Sequence, residues 1–439
     1  MGIAKSQGNT RTELSRIAWL SRKNPTQDFH SVMHHINVKS LIGCFNKLDG
    51  KKAVGIDGVD KESYGKELTI NLEGLIKRMK QMSYRPAPVR QVLIPKAGKT
   101  PATRPLGISN FEDKLVQKRV QEILESIYDP IFLGCSYGFR PGRGCHDAIQ
   151  DLLDYLFRNE VETVIDVDLA NYFGTIDHEL LSEILRIKIK DTKFLRYIDR
   201  MFKAGTLTNG ELVMSEEGVV QGGCHSPVLA NIFAHYVIDT WLEEVVKPRM
   251  AGTIRTFRYA DDLIICCRHA KDGLRIKKAL SKRLAKFKLQ PNEEKTRLVS
   301  FSKSKRRQGI KQGTFDFLGF TFYLGNSRRG FIVPKLKTSG KRLSSKLKKV
   351  NDWAKKVRNQ HKLHTIWKTF CIKLRGHIQY YGVSHNSRSV REFLDKATRI
   401  LFKWLNRRSQ RRSFDWQKFR LFMKRFPLPS ADIIYPMFE

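Results

Sequence analysis

The amino-acid sequence predicts an α+β fold, and three observations support this prediction. Short apolar runs typical of strands alternate with amphipathic helical segments between residues 160 and 325. Apolar residues at helical spacing mark three further helices after residue 335. Clusters of Gly and Pro separate the segments. Together these features predict a central domain with the order β-α-β-β-α-β, followed by a helical domain.

The chain of 439 residues divides into four predicted regions. Residues 1–35 are polar with scattered hydrophobic residues, which predicts a loosely packed basic arm. Residues 36–160 combine helical periodicity with Gly and Pro punctuation. Residues 161–330 contain the alternating strands and helices, and residues 331–439 are predicted to be helical.

The central region contains four predicted strands and three predicted helices. The Ser226-Pro227 pair is a helix start, with Ser as the cap and Pro in the first turn. The strands are Val161–Leu169, Thr253–Tyr259, Leu263–Cys267 and Phe315–Tyr323, and the helices are His178–Ile189, the one starting at Ser226, and Lys271–Leu289.

Net charge is the most informative bulk property. Lys and Arg number 81 against 43 Asp and Glu, so the formal charge is +38. Such a chain repels itself unless a polyanion neutralises it, and nucleic acid binds through release of counterions. A basic binding protein without catalytic activity is the alternative at this point. The seven cysteines form no Cys-x-x-Cys pair, which argues against a zinc knuckle. No apolar run reaches the length of a membrane helix.

Three carboxylates are candidates for a catalytic metal site. Asp261 and Asp262 lie in the predicted turn between two strands, where Asp is also common for purely structural reasons. Asp168 ends an apolar strand, where an ionised carboxylate should not be buried without a partner. If that strand lies beside the turn, Asp168 and Asp261 converge. Hard oxygen ligands suit Mg²⁺, and two such ions can support phosphoryl transfer.

The order of motifs resembles that of reverse transcriptases, and in particular those encoded by group II introns. Several motifs in the correct order make the resemblance specific, whereas any one alone could be accidental. It covers roughly residues 40 to 325, with tail motifs beyond. The motifs are Gly55–Asp60, Ile94-Pro95-Lys96, Arg104–Ile108, Gly138–Arg143, Asp168 with Tyr172-Phe173, Gln221–Pro227, Tyr259–Asp262, Asn292–Thr296, Phe317–Phe320, Tyr380-Tyr381-Gly382 and Trp404–Ser409.

The resemblance implies a right-hand polymerase with fingers, a ferredoxin-like palm and a helical thumb. It implies that Asp168, Asp261 and the carbonyl of Leu169 hold two Mg²⁺ ions, which Mn²⁺ can replace, with Asp262 in support. Nucleotide-binding residues would be Lys96, Arg104, Phe173, Gln221 and Gly222. Template and primer contacts would come from Arg140, Arg143, Lys295, Phe317, Leu318 and Gly319.

The basic thumb residues are predicted to follow the phosphates of bound RNA. They are Lys348, Lys349, Lys355, Lys356, Arg407, Arg408, Arg411 and Arg412. The implied partners are RNA template and primer, an RNA/DNA heteroduplex, dNTPs, a group II intron RNA and its DNA target. The short tail without zinc-type cysteine pairs resembles the class C type that lacks an endonuclease domain. The implied location is the cytoplasm, in association with ribonucleoprotein or the nucleoid.

Two departures and two alternatives stay open. Gly174 stands where many relatives have an acidic residue, and Cys224-His225 where Pro-Leu is common. One alternative function is a free-standing bacterial reverse transcriptase, defence-associated or domesticated. The other is an RNA-binding maturase without polymerase activity, which the intact set of aspartates disfavours.

Overall fold

The computed structural model describes residues 14–95, 103–208, 211–408 and 414–437. The chain forms two compact units that interleave along the sequence. Unit 1 comprises Met1–Gly144, Val167–Ile265 and Lys271–Arg297. Unit 2 comprises Cys145–Asp166, Cys266–Ala270 and Leu298–Glu439. No helix among the described residues is both long enough and apolar enough to cross a membrane.

The first part of unit 1 is mainly helical and carries one small sheet. Helix α1 covers residues 14–23. It is followed by α2 (Val38–Lys47), α3 (Lys61–Gly65), α4 (Leu68–Lys80), β1 (Val89–Pro95), β2 (Thr103–Ile108) and α5 (Phe111–Tyr128). One face of α5 is entirely buried, because its apolar residues recur at helical spacing.

The described part of the N-terminal region packs against unit 1, in contrast to the loose arm that its polar composition predicts. Ile17 and Val32 are buried, and the Ser21 hydroxyl donates to the carbonyl of Ile127 at 2.5 Å. Asp191 accepts from the backbone N–H groups of Val32 and Met33, each at 2.8 Å. For residues 14–35 a loose arm is therefore the wrong prediction, because these partners lie far away in the sequence, and residues 1–13 lie outside the described residues.

The middle of unit 1 adds the elements that lead to the turn at Ala260-Asp261. They are β3 (Thr163–Asp168, shared with unit 2), α7 (His178–Lys188), α8 (Thr192–Phe202), β4 (Thr206–Thr208), β5 (Glu211–Val213), α9 (Ser226–Ala234), β6 (Ile254–Tyr259) and β7 (Asp262–Cys267), with α6 (Cys145–Arg158) before β3 in unit 2. The predicted strands and helices between residues 161 and 289 are confirmed to within about three residues at each end, although Ser226 is the first residue of its helix and not the cap. The predicted strand Phe315–Tyr323 is divided into two, Phe315–Phe317 and Phe320–Asn326. Beyond α9 the helix continues as π-helical turns at His235–Asp239 and Trp241–Val246, which sequence periodicity did not predict.

Two four-stranded sheets result. One has the order β2-β1-β4-β5, in which β1 is antiparallel to β2 and parallel to β4. The other has the order β6-β7-β3-β8, where β8 is Arg297–Ser300 and α10 (Ala270–Lys286) precedes it. The third of these strands in the chain, β7, therefore lies beside the first, β3. This adjacency brings the end of β3 next to the turn that opens β7.

Unit 2 continues with a three-stranded sheet and a helical bundle. The remaining elements are α11 (Lys303–Arg307), β9 (Phe315–Phe317), β10 (Phe320–Asn326), β11 (Ile332–Thr338), α12 (Gly340–Val357), α13 (Leu363–Tyr381), α14 (Ser387–Leu405) and α15 (Trp416–Arg425). The sheet order is β11-β10-β9. Aromatic side chains dominate the bundle core, among them Trp367, Phe370 and Phe419.

The expectation of helix alone after residue 331 is wrong, because β11 forms a hairpin with β10 there. In β11 the buried residues Pro334, Leu336 and Thr338 alternate with more exposed ones, which is the two-residue period of a strand. Pro334 lies within this strand, although proline lacks the N–H that a central strand needs. It is tolerated here in the outer strand of the sheet.

Candidate active site

Asp168 is the last residue of β3, and the backbone around it is fixed by a distant segment. The N–H of Asn292 donates to the carbonyl of Asp168 at 2.8 Å, and Leu169 forms an antiparallel bridge with Pro291. The Asp168 side chain is one third exposed, at 33%. Its Oδ2 lies 2.9 Å from the Nζ of Lys295. The carboxylate thus ends a buried strand at an open surface, as the sequence predicted.

Asp261 lies in the tight turn between β6 and β7. Ala260 before it has a φ of 57°, in the left-handed region that residues with a Cβ rarely adopt. Burial raises the pKa of the Asp261 carboxyl and the nearby charge of Asp168 raises it further, although a hydrogen bond from its own backbone opposes the shift. The two carboxylates are therefore close enough to repel each other. Asp262, the first residue of β7, is exposed.

A buried arginine, Arg258, stabilises the turn that carries Asp261 through a hydrogen bond to the Ala260 carbonyl. The Arg258 side chain is about 1% exposed and is paired with both carboxylate oxygens of Asp239, at 2.8 and 2.6 Å. It also donates to the Ala260 carbonyl at 3.2 Å and to the Oδ1 of Asn231 at 2.9 Å. Asp239 belongs to the first π-helical turn after α9. One guanidinium therefore holds the residue before Asp261 and joins it to the helix behind.

The Gly138–Arg143 loop packs directly on the same turn. A Cβ on Gly138 would lie 2.5 Å from the backbone nitrogen of Ala260, closer than atoms can approach. The Gly138 carbonyl accepts from Asn231 Nδ2 at 2.7 Å. Phe139 follows with a φ of 55° and a side chain that is half exposed. Glycine is needed at 138 because the two backbones touch.

Arg140 and Arg143 stabilise this loop. The Arg140 guanidinium is 7% exposed and pairs with Asp129 at 2.6 Å, and it also donates to the carbonyls of Leu133 and Ser136. Arg143 donates to the carbonyl of Gly134 at 2.8 Å. These bonds give both arginines a structural role that the sequence did not indicate. A contact of either with template or primer stays a prediction.

Phe173, the aromatic residue predicted to bind the nucleotide, is half-buried. Phe173 belongs to a short 3-10 segment that follows Asn171, whose φ is 47°. Its ring makes an edge contact with Phe139 at a centroid distance of 6.3 Å. Tyr172, by contrast, is buried and donates to the Ala230 carbonyl at 2.7 Å. Of this pair, only Phe173 is partly exposed, and its contact with a nucleotide stays a prediction.

The predicted nucleotide residues Gln221 and Gly222 contact strand β2. The Gly107 N–H donates to the Gln221 carbonyl at 2.7 Å. Gly222 has a φ of 117°, and a Cβ there would lie 2.5 Å from the Gly107 carbonyl. The glycine is thus required by the approach of the protein's own backbone. Arg104 is exposed on β2, and Lys96 lies outside the described residues.

The residues predicted to position the primer form a tight turn in unit 2. Phe317 is buried, and Leu318 and Gly319 have φ values of 49° and 82°. The Tyr380 hydroxyl donates to the Leu318 carbonyl at 2.8 Å. A Cβ on Gly319 would lie 2.9 Å from the Tyr381 hydroxyl. Helix α13 therefore fixes the shape of this turn.

The predicted RNA-binding residues lie on the bundle surface of unit 2. Lys348, Lys349, Lys355 and Lys356 are all exposed on α12. The guanidinium of Arg407 lies 5.4 Å from the ring centre of Trp404, and Arg408 donates to the His361 carbonyl at 3.1 Å. Arg411 and Arg412 lie outside the described residues. Helix α12 thus presents a mainly basic surface that also carries the exposed carboxylate of Asp352, and RNA binding by its lysines stays a prediction.

The carboxylate ligands that Asp168 and Asp261 provide suit Mg²⁺ better than a metal ion whose ligands must all come from the protein. Across the described ranges no group of three or more His, Cys, Asp and Glu side chains is assembled as a metal site. Mg²⁺ binds through one or two carboxylates and takes its other ligands from water and phosphate. Burial is the main cause of the raised pKa of Asp261 and the charge of Asp168 adds to it, so a cation bound there would lower that pKa again.

Comparison with known proteins identifies the family. The model of the family described as reverse transcriptase (RNA-dependent DNA polymerase) matches residues 94–322, more than half of the chain. The chain therefore belongs to the reverse transcriptase family. The matched range includes Asp168, Asp261 and Asp262, and it also includes the residues described above that stabilise the turn at Asp261.

Individual relatives match over shorter stretches. Group II intron-encoded protein LtrA of Lactococcus lactis subsp. cremoris is 33% identical over 227 residues, 52% of this chain and 37% of the relative. Protein YkfC of Escherichia coli is 37% identical over 199 residues, 44% of this chain and 51% of the relative. The putative COX1/OXI3 intron 2 protein of Saccharomyces cerevisiae is 33% identical over 261 residues, 54% and 29%. The chain thus spans about half or less of each of these relatives.

Proposed function

We propose that the protein is an RNA-directed DNA polymerase with a right-hand architecture. The observation that carries the proposal is the meeting of Asp168 and Asp261 at one open edge of a buried sheet, within a chain of the reverse transcriptase family. The sheet order β6-β7-β3-β8 supports a ferredoxin-like palm, because it puts the first strand between the third and fourth. In this proposal β1 and β2 belong to the fingers and α12–α14 to the thumb.

In this mechanism the primer 3′-oxygen attacks the α-phosphorus of a dNTP and pyrophosphate leaves. Asp168, Asp261 and the Leu169 carbonyl would hold two Mg²⁺ ions, or Mn²⁺ in their place, with Asp262 in support. When bound, these ions favour the ionised 3′-hydroxyl and neutralise the leaving pyrophosphate. Arg258 keeps the turn in shape by its bond to the Ala260 carbonyl. Lys96 and Arg104 are proposed to bind the triphosphate, and Gln221 and Gly222 to border the nucleotide.

The polymerase proposal is tested by primer extension. Asp168→Asn or Asp261→Asn removes an anionic ligand at constant volume. Each change should reduce extension by several orders of magnitude and leave RNA affinity nearly unchanged, since affinity comes mostly from phosphate contacts. Glu294→Gln is the matched control, because it removes an exposed negative charge beside Lys295. If Asp261→Asn extended a primer within about tenfold of wild type, the assignment would be wrong.

Sugar selection provides a second test at the same site. Phe173 is half-buried and touches Phe139, so it can close the space beside the nucleotide 2′-carbon. Phe173→Ala should raise incorporation of ribonucleotides markedly, with a smaller loss for deoxynucleotides. Phe139→Ala is the matched aromatic control. Unchanged discrimination in Phe173→Ala would leave this residue a packing role only.

We further propose that the protein assists splicing and mobility of a group II intron, with the intron RNA and its DNA target as partners. The resemblance to intron-encoded proteins and the basic face of α12 support this role. Binding folded RNA in preference to unfolded RNA stabilises the fold by mass action. Such a protein would act in a ribonucleoprotein in the cytoplasm. A free-standing reverse transcriptase is the second candidate, because the family match covers residues 94–322 and does not depend on an intron.

The two activities should separate by mutation. Asp261→Asn with Asp262→Asn should abolish cDNA synthesis and still promote splicing of the cognate intron. Neutralising Arg407, Arg408, Arg411 and Arg412 should impair splicing more than extension of a preannealed primer. If the wild-type protein leaves every transcript that flanks its gene unspliced, the free-standing function replaces the maturase function. The polymerase proposal depends on other residues and would not be affected.

A further inference from the structure

The β10–β11 hairpin of unit 2 ends in a tip that holds an aromatic ring in solvent. The Ser327 N–H donates to the Phe331 carbonyl at 2.8 Å, and the Phe331 N–H donates to the Ser327 hydroxyl at 3.0 Å. Gly330 closes the turn with a φ of 81°. The Phe331 side chain is 68% exposed. Because the backbone of the tip is hydrogen-bonded to itself, the Cα that carries this ring has a defined position.

A groove of about 500 Å³ lies beside the ring. Its floor is apolar and includes Phe157, itself 47% exposed, together with Ile332 and Pro334. The charged residues that line it are all basic: Lys303, Arg307, Arg328 and Arg329. We name the tip 327–331 together with this lining the Phe331 groove. Its volume is enough for a nucleotide-sized ligand, and its charge selects an anionic one.

The two tip arginines are available to such a ligand. Lys303 donates to the Phe157 carbonyl at 2.7 Å, and Arg307 lies 3.8 Å from Glu160, so both have internal partners. Arg328 and Arg329 are exposed, and neither guanidinium has a hydrogen bond or ion pair within the described part of the chain. They lie three and two residues before Phe331 in the sequence. The groove thus combines a π-face with two unpaired cations.

Ligands of other classes would use only part of this arrangement. A single exposed aromatic residue is ordinary on a protein surface. An acidic peptide would satisfy the arginines but would leave the ring without a specific partner. A nucleic-acid duplex would meet the arginines only, since its bases are stacked on one another. An unpaired strand satisfies both features, because each base has a π-face and each link carries a phosphate.

We propose that the Phe331 groove binds single-stranded nucleic acid, with one base stacked on Phe331 and adjacent phosphates on Arg328 and Arg329. This site is separate from the residues assigned to polymerisation and to the basic face of α12. It gives the protein a second binding site for an unpaired strand, and binding at this site does not require catalysis. Its affinity should depend on both stacking and salt.

Replacing Phe331 by tryptophan turns the ring into its own reporter. The chain has six native tryptophans, so the signal of Phe331→Trp is taken as the difference from wild type. An oligouridylate of about eight nucleotides should quench this difference signal saturably. Heparin and polyglutamate, which are anionic but carry no bases, should not. Phe331 is exposed, so the thermal midpoint of unfolding should not change.

The arginines are tested in the same background. Adding Arg328→Gln and Arg329→Gln should weaken quenching by about tenfold and flatten the dependence of log affinity on log salt by about 1.4. Arg388→Gln with Arg391→Gln is the matched control, since it removes two exposed charges from α14 of the same unit. Quenching should survive that control. The proposal is overturned if bound oligouridylate leaves the difference signal of Phe331→Trp unchanged, if heparin or polyglutamate quenches it equally, or if both double variants weaken it equally.

Discussion

The Nζ of Lys295 lies 2.9 Å from Oδ2 of Asp168, so an ammonium group already pairs with one of the two carboxylates proposed to hold a metal ion. The lysine side chain is 67% exposed, and an exposed ion pair contributes at most about 1 kcal/mol. The motif alone assigns Lys295 to template or primer and does not indicate this contact. A bound metal ion would compete with the lysine for the same carboxylate.

Lys295→Gln should therefore lower the Mg²⁺ concentration for half-maximal extension, by up to about fivefold. The measurement is extension rate against Mg²⁺ concentration at saturating template. Lys277→Gln is a control, since that lysine donates to the Thr296 carbonyl and not to a carboxylate. If the Mg²⁺ requirement is unchanged and the apparent KM for template rises, Lys295 acts on template as its motif suggested.

Arg258→Lys should impair catalysis more than folding. Lysine keeps a positive charge opposite Asp239 but cannot reach Asp239, Asn231 and the Ala260 carbonyl together. The turn that carries Asp261 then loses its support, and we expect extension to fall about ten- to a hundredfold. Arg119→Lys is the matched control, because Arg119 is equally buried and pairs with Glu122 on α5. Equal losses of activity in the two variants, in proportion to their loss of thermal stability, would contradict the positioning role.

Gly138→Ala should displace the same turn from its other side. The added methyl group would lie 2.5 Å from the Ala260 nitrogen, so one of the two backbones must move. Small displacements of catalytic groups can reduce rates by up to about a hundredfold. Gly134→Ala is the control, since nothing lies within 4 Å of its added Cβ. Wild-type extension by Gly138→Ala would show that the loop can shift without disturbing Asp261.

The stability of the helical bundle should depend on pH through His377. Burial lowers its pKa to about 3 and the charge of Lys346 adds to the effect, and neither ring nitrogen has a partner within the described ranges. The ring is stacked against Phe393 at 3.6 Å. The unfolded chain takes up a proton below about pH 6.5 while the folded bundle does not. The stabilising contribution is therefore complete above that pH and is lost as the pH falls towards 3.

His377→Leu removes the titrating group. The free energy of unfolding of wild type should fall by about 2 kcal/mol more than that of the variant between about pH 8 and about pH 5. Denaturant unfolding followed by helix content measures the difference. His361→Leu is the control, because His361 is exposed and follows the end of α12. Parallel pH profiles for wild type and His377→Leu would exclude His377 as the cause.

The sequence was sufficient to predict the strands and helices whose apolar residues follow a simple pattern. Strand β3 and the β6–β7 hairpin follow from their apolar runs, and the Asp168–Asp261 pair follows from the strands' ends. The role of Arg258 could not be predicted, because Arg255 and Arg258 occupy one strand yet only Arg258 is buried. What distinguishes them is Asp239 on a π-helical turn, and no periodicity marks that turn.

The reasons for two glycines, at positions 138 and 222, could not be predicted from the sequence either. Gly138 and Gly222 belong to motifs associated with nucleic acid. In the structure both positions are dictated by contacts within the protein, to the Ala260 nitrogen and the Gly107 carbonyl. A motif records that a residue is required but does not say which neighbour requires it. Only the three-dimensional arrangement separates a ligand contact from a packing contact.

The bond from the Asn292 N–H to the Asp168 carbonyl has a consequence for biosynthesis. The strand end that carries Asp168 emerges from the ribosome well before the segment that fixes it. Chains are extended at about 5–20 residues per second, so an interval of several seconds separates the two events. A nascent chain that has passed residue 261 but has not reached residue 292 has both aspartates but no fixed frame for them. Messenger fragments that end before codon 292 would therefore yield inert polypeptides, and polymerase activity would begin only late in translation.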